Sequence, residues 1–306
     1  MDLVTFGEAM VRLSAPPGRR LEEARGFDVH AGGSELNVAV LAARLGVRTR
    51  WVSRLPDNAL GKMIAARAAE QGVDTQVAWT PEGRVGLYFL ESGAAVHISN
   101  VLYDRAGSTF SQISPGAIDW SRMFSDARWY HVSGITPALS ESALTVTAES
   151  LAAAKNAGMT VSYDVNYRPR LWTPTEARAV QEPLLELVDV LVITEEDARV
   201  VFGAQSVEAL TERFGIGAVA MTLRDNPCAV IAAVDGKRYT APRHAVETVD
   251  RIGAGDAFTG GLIVSRLQNR GWDDALRIAT ATAALKHTIP GDFCLISRAD
   301  VDRLLR

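Results

Sequence analysis

Near the C-terminal end of the chain, Gly253, Ala254 and Gly255 stand directly before Asp256 and an apolar helical pattern. Free N–H groups at a helix N-terminus, approached through small residues, form an anion site, and a phosphoryl group is a natural occupant. An acid in that first turn would repel a phosphate that was only to be bound. It makes sense as the acceptor of a proton from a hydroxyl attacking that phosphate. The same residues also suit a plain turn in which Asp256 complements the helix dipole, and from this stretch alone both readings stay open.

The elements that must position these groups follow from hydrophobic periodicity. Short β-branched runs at 3–9, 49–55, 128–135, 159–166, 189–194 and 217–223 read as strands. Helical patterns at 35–46, 60–72, 141–157, 176–188, 256–267, 273–287 and 298–305 lie between and after them. That alternation predicts an α/β fold with a mostly parallel sheet covered on both faces. Segments 10–33 and 84–108 break the rhythm as hairpin-like β pieces, and predict a small β-sheet projecting from a single domain over 1–306. Such a sheet could act as a lid over a cleft, as a contact between subunits, or as both.

Composition limits the partners. The chain of 306 residues is 47% hydrophobic and 22% charged, with net charge −4. No global basic field is available for nucleic acid or an acidic membrane, so an anionic ligand must meet local cations or backbone amides. No apolar run approaches the roughly 20 residues that span a bilayer, and the start lacks a signal-peptide pattern. Cys228 and Cys294 have neither metal-ligand nor redox-motif spacing, and with the rest they point to a cytoplasmic protein. The five histidines show no ligand spacing either. There is no P-loop motif, and no G-x-G-x-x-G follows the first strand, which counts against a nicotinamide dehydrogenase.

An early segment carries Gly32-Gly33, Asn37, Ala39 and Leu45-Gly46; the late one carries Asp250, Gly253-Ala254-Gly255-Asp256, Phe258 and Gly261. In this order the two segments resemble the paired signatures of the ribokinase-like (phosphofructokinase B type) carbohydrate kinases, and the resemblance runs over essentially the whole length. It implies a three-layer α/β/α core with a β-lid, Asp256 as the base that deprotonates a sugar hydroxyl, and the amides of Gly253, Ala254 and Gly255 as an anion hole. ATP and Mg²⁺ are the implied cofactors.

The segments around Arg105, Arg168 and 133–140 are most similar to the 2-keto-3-deoxygluconate kinase branch. That similarity implies a sugar-acid pocket lined by Gly33, Asn37, Tyr88, Tyr103, Arg105, Ile135, Arg168 and Asp292. It implies nucleotide contacts from Asn166, Arg168, Thr194, Thr222, Arg224, Gly253 and Gly255, and a water-mediated Mg²⁺ contact from Asp197. An arginine pair suits a sugar carboxylate, whereas a neutral sugar needs none. The chain departs from the family pattern at Arg251-Ile252, which follow Asp250 where Asp-Thr is usual. It departs again in 222–230, with Asp225 and Cys228 where glycines would fall, and at Asp197, where the family has Glu. A fructokinase and a non-catalytic sugar sensor are the alternatives, and edges of a lid sheet would favour a homo-oligomer.

Overall fold

The computed structural model describes residues 1–91, 100–224 and 228–306. The tip of the second β segment (92–99) and Asp225 lie outside the described residues. The strands are β1 (Leu3–Phe6), β2 (Met10–Ser14), β3 (Asp28–Gly32), β4 (Thr49–Pro56), β5 (Asp74–Thr80), β6 (Gly86–Glu91) and β7 (Asn100–Asp104). They continue as β8 (Trp129–Ser133), β9 (Thr160–Asp164), β10 (Val190–Thr194), β11 (Ala218–Thr222), β12 (Cys228–Val234) and β13 (Lys237–Pro242). The helices are α1 (Ser34–Arg44), α2 (Ala59–Glu70), α3 (Trp120–Met123), α4 (Glu141–Asn156) and α5 (Pro174–Leu185). After them come α6 (Glu195–Phe202), α7 (Val207–Phe214), α8 (Ala254–Leu267), α9 (Trp272–His287) and α10 (Arg298–Leu304).

Nine strands form the main sheet in the order β13-β12-β11-β10-β9-β8-β1-β4-β5. It is parallel from β5 to β11, and β12 and β13 close it antiparallel. Alternate residues feed opposite layers, as a pleat requires. Val4, Phe6, Leu191, Ile193, Val219 and Met221 join one core. Leu3, Val190, Val192, Ala218 and Ala220 join the other, with α8 and α9. The doubly covered parallel sheet expected from the alternation is therefore present.

The interrupting segments form a second sheet, β3-β2-β6-β7. Each segment is an antiparallel pair, as expected, but the two are joined by a parallel β2–β6 ladder. A third core of Val11, Ala31, Leu36, Val40, Trp51 and Ile64 packs beneath it, against α1 and α2. Periodicity missed β5, β12, β13 and the short helices α3, α6 and α7. It also placed the start of α8 near Asp256, whereas the helix begins at Ala254 with Gly253 as N-cap at φ 83°. The small residues are thus the first turn of the helix itself.

Candidate active site

Parallel strands deliver their C-terminal ends to one edge of the sheet, where ligands bind in open α/β folds. The pairing of β8 with β9 sets Ser133 beside Asp164, and that of β10 with β11 sets Thr194 beside Thr222. Over this edge the small sheet and the N-termini of α1 and α8 enclose a cavity of about 870 Å³.

Seven helices have a side-chain N-cap: Asn58, Asp119, Ser140, Thr173, Thr194, Ser206 and Ser297 each accept a first-turn amide. Gly33 of α1 and Gly253 of α8 cap nothing. Gly271 of α9 is the other uncapped start among the described residues, and it does not line the cavity. The two uncapped helices that face the cavity, α1 and α8, therefore leave their first amides for a ligand, with the positive end of the dipole behind them.

Both turns also require glycine by contact. A Cβ on Gly32 would fall 1.9 Å from Asp292 Oδ1, and one on Gly33 would fall 2.2 Å from the Glu8 carbonyl. A Cβ on Gly253 would fall 2.4 Å from the Asp292 carbonyl. Gly32 of the early motif and Gly253 of the late one thus both pack against the Asp292 turn.

Asp256 sits where α1 and α8 converge. Ser34 Oγ donates to its Oδ1 at 2.7 Å, and Asn37 Nδ2 donates to its Oδ2 at 2.6 Å. Asn166, held at φ 42°, donates to Ser34 Oγ at 3.0 Å, which directs the serine proton onto Asp256. The carboxylate is therefore aimed, with further lone pairs left to accept a proton. Burial pushes its pKa above the usual carboxylate range, against these hydrogen bonds and the charges of Arg168 and Lys286. An aimed carboxyl of raised pKa is suited to general-base work near neutrality. Ser34, absent from the sequence reading, lies three residues before Asn37, and that helical spacing was the available signal.

Gly33, Asn37, Tyr88, Tyr103, Arg105, Ile135, Asn166, Arg168, Thr194, Asp197, Gly253, Gly255, Asp256 and Asp292 all line the cavity. Three expected residues do not. The Ala254 side chain is buried, leaving only its amide at the helix start. Thr222 ends β11 outside the cavity wall, and Arg224 is turned to Glu196 across 3.7 Å with its side chain 82% exposed.

The two arginines expected to meet an anion differ in their surroundings. Arg105 is half of an ion pair with the buried Glu8, through Nε at 2.9 Å and through Nη2, and Glu8 also accepts from Ser108 Oγ. Its charge is largely matched before any ligand arrives. Arg168 makes no ion pair among the described residues; its one hydrogen bond is a long contact of 3.5 Å with the Tyr167 carbonyl. Arg170 also lines the cavity, its guanidinium over the Tyr103 ring at 5.9 Å from the centroid.

Asp292 anchors the small sheet. Tyr88 of β6 donates to its Oδ1, and Arg12 of β2 donates to its Oδ2 at 3.0 Å. Arg12 also reaches Asp250 at 2.6 Å, and all three ionic groups of this bridge are buried. Removing one partner of such a buried pair typically costs about 3–5 kcal/mol. The bridge therefore ties both halves of the small sheet to the loops flanking the α8 turn. Glu8 and Arg12 carried no motif signal, because their partners lie far along the chain.

Asp164, another residue that the sequence reading passed over, lies four positions before Arg168. Its pKa is pushed up to about 8 by burial, then by the charges of Asp256 and Asp197, with Arg168 opposing. Asp197 is shifted upward as well, mainly by burial. No group of three His, Cys, Asp or Glu side chains among the described residues is close enough to hold a metal ion directly. Asp164 and Asp197 both line the cavity, and the charge of Asp197 disfavours ionisation of Asp164, a repulsion that a hard cation met through water would relieve.

The raised value of Asp164 has a sign. An unfolded aspartate titrates near about 3.9, whereas the folded one keeps its proton to about pH 8. Folding therefore takes up a proton between those values, and the contribution of Asp164 to stability falls as pH rises through the window, by at most about 1.4 kcal/mol per pH unit. Asp164→Asn is expected to flatten the decline of the unfolding temperature between pH 5 and pH 8, followed by circular dichroism. An unchanged slope would show that Asp164 ionises normally.

Comparison with known proteins places the chain among sugar kinases. The family model described as pfkB family carbohydrate kinase matches residues 1–292. The 2-dehydro-3-deoxygalactonokinase of Haloferax volcanii is 39% identical, over 100% of this chain and 96% of its own. The 2-dehydro-3-deoxygluconokinase of Thermoproteus tenax is 30% identical, over 100% of this chain and 94% of its own. The crystal structure of 2-dehydro-3-deoxygluconokinase from Thermotoga maritima superposes with a TM-score of 0.95 at 38% identity, over 100% of this chain and 98% of that one. No described helix is long and apolar enough to cross a membrane.

Proposed function

The chain belongs to the pfkB family of carbohydrate kinases, and from that premise we propose that it transfers the γ-phosphoryl group of ATP to a hydroxyl of a keto-deoxy sugar acid. 2-Keto-3-deoxygluconate, giving the 6-phosphate, is the substrate we favour. The observation that carries this reading is one cavity holding an aimed, half-buried carboxyl at an uncapped helix start and, in its wall, a cation without an ionic partner among the described residues.

In this mechanism the sugar lies between the small sheet and α1, near Gly33, Asn37, Tyr88, Tyr103, Ile135 and Asp292. Its carboxylate meets Arg168, assisted by Arg105. Asp256 takes the proton of the attacking hydroxyl while Ser34 and Asn37 keep its carboxylate in place. The amides of Ala254 and Gly255, with Gly253 shaping the turn, receive the charge that builds on the transferring phosphoryl. ATP runs from there past Asn166 and Thr194 towards the ends of β10 and β11, with Thr222 and Arg224 beyond the cavity rim. Mg²⁺, held through water by Asp197 and Asp164, would neutralise polyphosphate charge. The small sheet acts as a lid that excludes water. Phe27, Val29 and Leu102, exposed on or beside that sheet, support pairing of two copies, and the dependence on ATP supports a cytoplasmic setting.

A neutral-sugar kinase such as a fructokinase is the second reading, favoured by the neutralisation of Arg105 by Glu8. An ADP-release assay with Mg²⁺-ATP separates the two readings, using 2-keto-3-deoxygluconate, its galactonate epimer, gluconate, fructose and ribose. Selectivity for the keto-deoxy acids is expected. Faster turnover of fructose or ribose would overturn the sugar-acid reading, and a preference for the galactonate epimer would correct only the stereochemistry.

A further inference from the structure

Lys286 has no part in the mechanism above, yet its placement is unusual. It lies in the last turn of α9 with 0% of its surface exposed. Lysine is almost never fully buried without a charged partner. Here the ammonium donates to the Ile289 carbonyl at 2.8 Å and makes no ion pair among the described residues. Its Cε would lie 3.3 Å from a Cβ placed on Gly253, so the lysine stem passes directly behind the N-cap of α8. The neighbouring His287 carbonyl accepts the amides of Val249 at 2.7 Å and Asp250 at 3.0 Å, which seats the 249–253 turn on this end of α9.

The charges around it balance in a telling way. Arg12 contacts Asp250 and Asp292, so one cation faces two carboxylates. Lys286 is the second cation of the group; burial lowers its pKa below the usual lysine value, with Arg12 acting the same way and the charges of Asp250 and Asp292 opposing. Its charge also lowers the pKa of Asp256. The cluster thus sets two cations beside two carboxylates, and Lys286, which forms no ion pair with either of them, lies directly behind the turn where a phosphoryl dianion would arrive.

We infer that Lys286 is a positioning residue for phosphoryl transfer: its buried ammonium is a built-in cation behind the Gly253–Gly255 turn, holding that turn and offsetting the charge that develops on the transferred group. The inference rests on the kinase reading and adds a residue behind its anion hole. A residue serving only packing would affect stability, and no soluble ion would substitute for it. A residue serving by its charge leaves, on truncation, a cavity that a small ammonium ion can enter.

The test is steady-state kinetics of the wild type and of Lys286→Ala with Mg²⁺-ATP and the best sugar acid. Assays run in tetramethylammonium chloride, with and without ammonium or methylammonium chloride. The wild type, its cation built in, is expected to change less than about twofold. The variant is expected to lose roughly 10–10²-fold in kcat, on the scale of one lost transition-state donor, with KM for the sugar acid within about threefold. Ammonium is expected to restore about tenfold of that loss. Should Lys286→Ala not fold, Lys286→Met keeps the length of the side chain without its charge, and its kcat must fall by a similar factor.

Activation of the wild type by ammonium would overturn the inference, because the site would then not be filled. A folded alanine variant with wild-type kcat, or one indifferent to ammonium, would overturn it too. A wild type that releases no ADP with any sugar would instead overturn the kinase reading, so the two failures are distinguishable.

Discussion

Asp256→Asn is expected to abolish phosphoryl transfer while leaving ATP binding nearly intact. Removal of a general base costs about 10²–10⁴-fold, and here the same carboxylate also orients the acceptor hydroxyl, so the upper end of that range applies. The fold should tolerate the change. Asn37 can turn its amide to offer an acceptor to the new amino group, and the Ser34 hydroxyl can rotate, so neither partner is left stranded in the buried site. In the proposed mechanism ATP affinity depends on backbone amides and on groups towards β10, which asparagine does not touch. Single-turnover phosphoryl transfer together with calorimetric titration of ATP would measure both halves. Turnover like that of the wild type would remove Asp256 from the mechanism; a simultaneous collapse of ATP binding would make it a structural residue.

Arg168→Ala is expected to lower kcat/KM for a keto-deoxy sugar acid by about 10²-fold or more, and to affect a neutral sugar much less. A charge-assisted hydrogen bond contributes roughly 1.5–3 kcal/mol, and Arg168 brings a charge that no acid among the described residues engages directly. Arg105→Ala should discriminate less, because Glu8 has already matched that charge. Its larger effect would come from leaving the buried Glu8 uncompensated, which would lower activity on acidic and neutral sugars alike. Equal losses on both substrate types for Arg168→Ala would argue against a carboxylate contact. A greater acid-specific loss at Arg105 than at Arg168 would reverse the assignment of the two arginines.

Much of the site was legible beforehand because its parts are local. The Gly253-Ala254-Gly255-Asp256 run announces a helix start without a side-chain cap, and Gly32-Gly33 with Asn37 announces another. Glycine, a missing cap and an acid in the first turn are all properties of four or five adjacent residues. Arg105 and Arg168 were found as members of recognisable segments, and the structure brings both to the cavity. Thr222 and Arg224 were expected at the nucleotide from their segment, yet neither lines the cavity, and Arg224 is turned to Glu196.

What this sequence determined by itself was the alternation that makes a doubly covered parallel sheet, the family, and the two glycine-rich helix starts. All of these depend on periodicities and on neighbours within a few positions along the chain. Tertiary structure alone decided which charges are spent and which remain available. Glu8 meets Arg105 across 97 positions, Arg12 meets Asp250 across 238, and Asn37 meets Asp256 across 219. The burial of Lys286 behind Gly253 belongs to the same class of fact. A residue type carries its charge in the sequence, but its partner and its exposure to water are set only when the layers close. In a low-dielectric cavity those two quantities decide whether an arginine, a lysine or a carboxylate can act on a ligand.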